Sequence, residues 1–455
     1  MDVRCSLILA VLLAGCTAAD GPPQPPQPAL PAQWRSPVTP EAVQVDAQWW
    51  QAFGSAELSA LITQAQASGL DVQAAAARVL QAEAAARASG ATLWPTLDGA
   101  VASTHEGRLG GNASVDDNSY FVGLQASFDP DLWGRNRALR DAALARLKAR
   151  RFDRSDVQLT LTSSVADQWL LRVSLGQRLA IARLNLSNAE RVLDTVSSRQ
   201  RAGSVTPLDL AQQRGVVAEQ RRQVSSLQQQ ASEAEIRLAL LLGVPVQQVS
   251  VRTESLDNLA WPQANAGLPA ELVLRRPDVA RAESDLAAAQ ADVKAARAAL
   301  LPNITLGLQV GGSAEHWSRV FDSPVYALTG NLVAPIFNGG NLRAQRDEAQ
   351  GRKEELLVEY RRALITALTD VESGLNAAGG IEGQLSAQDE QLAQAKEAFR
   401  LAESRYRAGA ETLLVLLDAQ RSLYTAQDEW VQLRLQRLQA SVALFKALGG
   451  GWRRA

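Results

Sequence analysis

The chain is written twice. Distinct landmarks recur in one order at a spacing of roughly 206 residues: Leu93-Trp94-Pro95 answers to Leu300-Leu301-Pro302, and Pro130, Gly134 and Asn136 to Pro335, Gly339 and Asn341. Further on, Arg201-Ala202-Gly203 answers to Arg407-Ala408-Gly409 and Leu242-Gly243 to Leu448-Gly449. That period is far longer than a solenoid repeat, so a domain-sized unit has been duplicated once, and any fold assigned to one copy must serve for both.

Each copy reads helix, strand hairpin, very long helix, turn, helix. The first helix is expected over about 58–93 and again over about 270–301. The long helices, about 136–201 and 341–407, contain no proline, and about 66 residues at 1.5 Å each approach 100 Å. No globular core is that long, so the architecture must be elongated.

Apolar residues in the first long helix keep a helical rhythm, at Leu159, Ala166, Leu170, Val173, Ala180 and Leu184. The returning helix of the second copy does the same at Leu413, Leu417, Tyr424, Val431, Leu435, Leu438, Val442 and Phe445. Such seams predict antiparallel helical hairpins packed as coiled coils. At their turns, Gly203 and Gly409 suit a left-handed residue ending a helix, and Thr206-Pro207 suits an N-cap followed by proline at the first helical position.

Between the helices lie two hairpins, with strands expected at about 96–104 and 119–129 and at about 303–312 and 325–336. They alternate: Ile304, Leu306, Leu308 and Val310 against Asn303, Thr305, Gly307 and Gln309, and Tyr120, Val122, Leu124, Ala126 and Phe128 against Phe121, Gly123, Gln125, Ser127 and Asp129. About ten alternating residues suit a tilted strand of an outer-membrane barrel. A soluble sheet packed on a core alternates in the same way, but the long helices project away from the strands and leave nothing to cover the apolar face. Four strands cannot close a barrel, and open edges are not tolerated in hydrocarbon, so copies must pool their strands, in a number the physics leaves open. The segments His105–Asn118 and Ser313–Pro324 are expected as polar outer loops carrying the two histidines, His105 and His316.

The first residues read as an export signal: Arg4, a short apolar run from Ser6 to Leu13, then Leu13-Ala14-Gly15-Cys16. An apolar run of about eight residues cannot span a bilayer. Leu13–Cys16 looks like a bacterial lipobox in which Cys16 is acylated; the alternative is an ordinary cleaved leader that leaves a free thiol, a liability in an exported protein. Thr17, in place of an aspartate, favours the outer membrane. The Pro- and Gln-rich residues 21–40 are expected as an extended tether.

The division is therefore 1–15 leader, 16–57 lipidated N-terminus, tether and lead-in, 58–259 first repeat and 260–455 second repeat. A net charge of only −2 and no basic patch argue against a nucleic-acid partner. Neither histidine has metal-ligand spacing, and no nucleophile elbow, phosphate loop or dinucleotide fingerprint is present, so an enzyme, a metal and a cofactor other than the lipid are not expected.

Several segments together resemble the TolC-like outer-membrane factors, in particular the lipoprotein branch of OprM and NodT type that serves resistance-nodulation-division efflux pumps. They are Trp49-Trp50 with Phe53 and Leu58, Phe128-Asp129-Pro130-Asp131-Leu132-Trp133-Gly134, Leu274-Arg275-Arg276-Pro277-Asp278-Val279 followed by Ala282-Glu283, and Tyr406-Arg407-Ala408-Gly409 leading into Leu416-Leu417-Asp418-Ala419-Gln420. The resemblance covers nearly the whole mature chain. It implies an α+β membrane protein: a homotrimer with a twelve-stranded β-barrel, a long periplasmic α-helical barrel and a mixed equatorial belt, forming the exit duct of a tripartite pump that passively conducts drugs or other small toxic compounds to the exterior.

The resemblance also places Leu414 and Asp418 at a constriction where helix tips close the tunnel, with Asp209 nearby. Threefold repetition would make an apolar ring and a carboxylate ring that favours cations. A periplasmic adaptor would dock on the tips around Arg201, Gly203, Arg407 and Gly409, beneath an inner-membrane pump. Leu413 departs from the aromatic frequent at its position, and the short C-terminus thins the belt. Protein export with an ABC transporter, or a lipid-anchored structural role without conduction, are the alternatives.

Overall fold

The computed structural model describes residues 30–36, 45–107, 109–111, 116–252 and 255–454; Cys16 and the lipobox lie outside them. The two copies have one plan. The first contains α1 (Ala56–Ser68), α2 (Leu70–Ala91), β1 (Thr96–Gly107), β2 (Asp116–Phe128), α3 (Arg135–Arg201) and α4 (Pro207–Leu242). The second contains α5 (Pro269–Arg275), α6 (Pro277–Ala298), β3 (Asn303–Ala314), β4 (Pro324–Val333), α7 (Asn341–Arg407) and α8 (Leu413–Ala447).

Where one helix is expected ahead of each hairpin, the structure has two. The first breaks at Gly69, between α1 and α2. The second breaks at Arg276, which is extended because the following Pro277 disfavours helical geometry in the residue before it.

The long helices α3 and α7 carry the architecture, each 67 residues. Near the strands α2 packs on α3, α3 on α6 and α6 on α7; farther away α4 packs on α3, α3 on α8 and α8 on α7. The result is a ribbon of helices in which α7 forms one edge throughout and α2, then α4, forms the other.

The hydrophobic interior is concentrated at the level where these layers exchange. Trp49, Trp50, Phe53, Leu58 and Ile62 from the lead-in and α1 meet Trp169, Leu170 and Val173 of α3, Leu238 and Leu242 of α4 and Val431 to Phe445 of α8. Trp49 stacks on Phe445 at 5.2 Å, and the buried Trp169 indole donates to Glu57 at 2.9 Å. Arg276 ties the second copy into this centre. Its buried guanidinium donates twice to Asp278, at 2.9 and 2.6 Å, and once each to Asp370 and the Ala447 carbonyl. Burial alone would raise the Asp278 carboxyl; hydrogen bonds and charge from Arg276 hold it below its ordinary value.

The seam expected on α8 is present, with Leu413, Leu417, Val431, Leu435, Leu438, Val442 and Phe445 buried. On α3 the expected seam fails at its far end, where Ala180 and Leu184 are exposed. The buried heptad there is Ala182, Asn185, Ala189, Val192 and Val196, at alternating steps of three and four. Its residues are smaller and partly polar, so the larger Leu184 gives the stronger sequence signal and yet faces outward.

The strands form one antiparallel sheet in the order β1-β2-β3-β4, with β1 and β4 as edges. They extend beyond the expected ends at the outer side: His105 pairs with Asn118 inside the β1–β2 ladder, and the His105 ring Nδ1 lies 2.7 Å from the Asn118 Oδ1. The segment from His105 to Asn118 is thus strand at its two ends, 105–107 and 116–118. β4 ends at Val333, short of the expected 336.

Candidate functional site

Sheet register decides what each face can touch. Rows across the strands pair Leu97 with Ala126, Leu308 and Leu328; Gly99 with Leu124, Val310 and Tyr326; and Phe128 with Leu306 and Gly330. The face so formed is apolar from edge to edge, and within one chain it lies open: Leu97, Val101, Leu124, Leu308, Val310, Tyr326 and Leu328 are all exposed. No α-helix packs across it among the described residues; only the short turn of 3-10 helix at Trp317–Arg319 touches its outer end. Aromatic residues stand at both ends, Tyr120 and Trp317 in edge contact on the outer side, Trp94 and Trp133 on the helix side. This is the pattern of a lipid-facing band between interfacial girdles. No helix among the described residues is long and apolar enough to cross a membrane.

The opposite face carries Thr96, Ser127, Gly307 and Thr329 in one row and Asp98, Gln125, Gln309 and Ala327 in the next. Above these, Gly123 pairs with Gly311, and the two strands approach so closely that a Cβ on either would fall 2.3 Å from a carbonyl oxygen of the other. The Phe121 ring, buried on this otherwise polar face, lies over both glycines. At this junction between the two copies the strands leave no room for a side chain, and glycine is obligatory there.

The joint from sheet to helix explains the segment Phe128–Gly134. Asp131, with φ of 51°, turns its buried carboxylate to accept from the Asn136 and Arg137 amides at 2.8 and 2.9 Å and from the Arg137 guanidinium at 3.1 Å, capping α3.

At the far end, α3 turns into α4 and α7 into α8 through Gly203 (φ 71°) and Gly409 (φ 74°), left-handed residues that a side chain would strain. The two tips are fastened together. Arg199 donates to the Arg407 carbonyl at 2.8 Å and lies 4.6 Å over the Tyr406 ring. Beneath it Val192, Val196, Ala402, Tyr406, Leu413 and Leu416 form a small separate core. Arg201 and Arg407 are exposed, and Arg407 pairs with Glu403.

Leu414 and Asp418 stand four residues apart on one face of α8, both exposed, whereas the neighbouring Leu413 is buried in the tip core. Asp209 is engaged locally. Its carboxylate accepts from the Thr206 amide at 2.8 Å and hydroxyl at 2.7 Å, while the Thr206 hydroxyl accepts from the Asp209 amide, closing a capping box at the start of α4.

Sequence reasoning did not find the links between hairpins above the tips. Arg178 on α3 donates twice to Asp428 on α8, at 2.6 and 3.0 Å. Tyr424 donates to the Asn185 carbonyl at 2.9 Å and accepts from Gln420 at 2.7 Å; burial pushes its phenol up to about 12. These lie beside a groove of about 700 Å³ between α4 and α8 that reaches down to Leu414. Only the spatial pairing of α3 with α8 brings these residues together. Among the described residues no cluster of His, Cys, Asp or Glu could hold a metal ion.

The family model of outer membrane efflux proteins matches residues 61–244 and again 268–450, following the duplication. The chain belongs to that family. It is 48% identical over 460 residues to the pyoverdine export outer membrane protein OpmQ of Pseudomonas putida, covering 98% of this chain and 97% of that one. It is 33% identical to the toluene efflux pump outer membrane protein TtgI of Pseudomonas putida, with 97% of each chain covered. Among solved structures, a membrane protein from Pseudomonas aeruginosa superposes with a TM-score of 0.87 at 31% identity, covering 94% of this chain and 97% of that one. As an outer membrane efflux protein, the chain is a non-enzymatic channel component of efflux systems, with its strands in the outer membrane and its helices in the periplasm.

Proposed function

We propose that three copies close into one continuous duct, the exit of a tripartite pump that carries a small secreted molecule of the siderophore class to the outside. The observation that carries this is the shape of the unclosed subunit. β1 and β4 are bare edges that hydrocarbon does not tolerate, and the two edges of the helical ribbon expose apolar residues: Val358, Ile365 and Leu401 on α7, Leu70 and Leu80 on α2, and Leu208, Ile236 and Leu240 on α4. One edge differs from the other, so copies join head to tail and a ring results.

In that ring Leu414 and Asp418 form the resting constriction at the tips. Asp209 contributes by fixing the start of α4, its carboxylate being engaged in the cap. A periplasmic adaptor docks around Arg201, Gly203, Arg407 and Gly409 and links the duct to an inner-membrane pump. The acylated Cys16 holds the chain to outer-membrane lipid. The cargo class rests on the 48% identity with a pyoverdine exporter across nearly the whole length.

Complementation tests this. The chain is expressed in a Pseudomonas strain lacking its pyoverdine export outer membrane protein, and the siderophore is measured in medium and periplasm. Restored secretion, lost again in Cys16→Ala or in variants with bulky substitutions at Gly203 and Gly409, is expected. Heat-sensitive trimers in the outer membrane with no gain in secreted siderophore overturn the cargo assignment, and monomers alone overturn the ring.

A further inference from the structure

Register places every inward-facing side chain of the sheet, and the charges among them have one sign. The inward positions are Thr96, Asp98, Ala100, Ala102, Thr104 and Glu106 on β1 and Asp117, Ser119, Phe121, Gly123, Gln125 and Ser127 on β2. On β3 and β4 they are Asn303 through Ser313 and Val325 through Val333, taken alternately, and none of these is charged. Asp98, Glu106 and Asp117 are therefore the charged groups of the inner face, with no lysine or arginine. The outward positions from Leu97 to His105, Asn118 to Phe128 and Ile304 to Ala314, and those of β4, carry no carboxylate and no base other than His105.

Two features set these carboxylates apart from chance solvation. Glu106 and Asp117 are directly opposite partners in the ladder, an arrangement that costs stability through like-charge repulsion. Asp98 stands in the row of the longest polar inward side chains, level with Gln125 and Gln309, while the rows on either side contain alanine, glycine, serine, threonine and Val325. In the closed ring these long side chains project into the passage beside the row covered by the Phe121 ring, and they set the Asp98 carboxylate at the wall of the lumen. None of the three carboxylates pairs with a base among the described residues, and the outer turn between β3 and β4 carries Glu315 and Asp322 against the single Arg319.

We infer that the β-barrel is itself a fixed cation-preferring filter, with Asp98 as the determining residue near its helix-side end and the Glu106–Asp117 pair as an acidic collar at its outer mouth. It acts independently of the constriction at the helix tips. The inference rests on the ring proposed above, which repeats each carboxylate three times around one lumen. A carboxylate ring raises local cation concentration and lowers that of anions over about one Debye length, about 8 Å at physiological salt and about 30 Å at 10 mM. The bias is strongest in dilute salt and acts on any cargo wide enough to keep its charges near the wall.

The experiment is the reversal potential of single channels between about 10 and about 100 mM KCl, in the Leu414→Ala/Asp418→Ala background so that the tip carboxylate is gone. A preference for potassium over chloride is expected to remain in this background. It is expected to fall at least about twofold with Asp98→Asn, to survive in Asp98→Glu, and to approach unity when Glu106→Gln and Asp117→Asn are added. If the neutralised channels form heat-sensitive trimers and conduct with an unchanged preference, the filter lies in the helical tunnel and the inference is overturned. If the Leu414→Ala/Asp418→Ala background passes no current, the proposed duct fails and this inference falls with it.

Discussion

Asp167 sits on α3 with Oδ1 buried and without a hydrogen-bond partner, and burial pushes its carboxyl up to about 7, a rise that Lys446 opposes and does not cancel. A folded pKa above the ordinary 3.8 means that the folded chain holds this proton longer than the unfolded chain. Stability is then unpenalised below pH ~4, falls as pH rises toward ~7 and is level above that. About three pH units at about 1.4 kcal/mol each set a ceiling of about 4 kcal/mol per subunit. Asp167→Asn removes the titration and keeps the shape. Urea unfolding in detergent, followed by helical circular dichroism from about pH 5 to about pH 8, should show the variant gaining on the wild type by up to about 3 kcal/mol across that range. Parallel pH profiles for the two proteins would refute the reasoning.

Gly311→Val forces a Cβ into the Val122 carbonyl and the Phe121 ring, so heat-sensitive trimers should vanish from outer-membrane fractions while the unassembled chain is still made. A variant that assembles normally would show that the sheet does not need this close approach. Arg276→Gln takes from Asp278 and Asp370 the guanidinium that pairs with both, and should destabilise the equatorial core by about 3 kcal/mol at neutral pH. Because the Asp278 carboxyl is held below its ordinary value in the wild type, that advantage is lost as pH falls through the folded pKa. Denaturation at about pH 7 and about pH 3.5 should therefore show the difference shrinking in acid, and a constant difference would contradict it.

Much of this architecture is readable because its signals are long or repeated. Helices of 67 residues without proline leave little choice of conformation, and landmarks such as Arg201-Ala202-Gly203 and Arg407-Ala408-Gly409 fix the turns twice over. Strand alternation is legible residue by residue, because Leu306, Leu308 and Val310 share a face whatever else surrounds them. The ends are less so. His105 belongs to β1 because Asn118 lies opposite, a pairing that local polarity conceals.

Long-range choices are lost for a different reason. Leu184 and Ala182 fit helical rhythms equally well, and only the packing of α4 and α8 on α3 selects the smaller residue. Asp209 looks like a free tip carboxylate in the sequence, although a Thr206-Pro207 start three residues before it already allows a capping box. The Arg178–Asp428 pair spans 250 residues of sequence, and no spacing rule reaches that far.

The central claim, a gated passive duct, is tested most directly by single-channel conductance of purified wild type beside Leu414→Ala/Asp418→Ala in planar bilayers. Small, rarely open, cation-preferring steps in the wild type and much larger steps in the variant are the predicted result. Well-folded trimers of both forms that pass no current would contradict it.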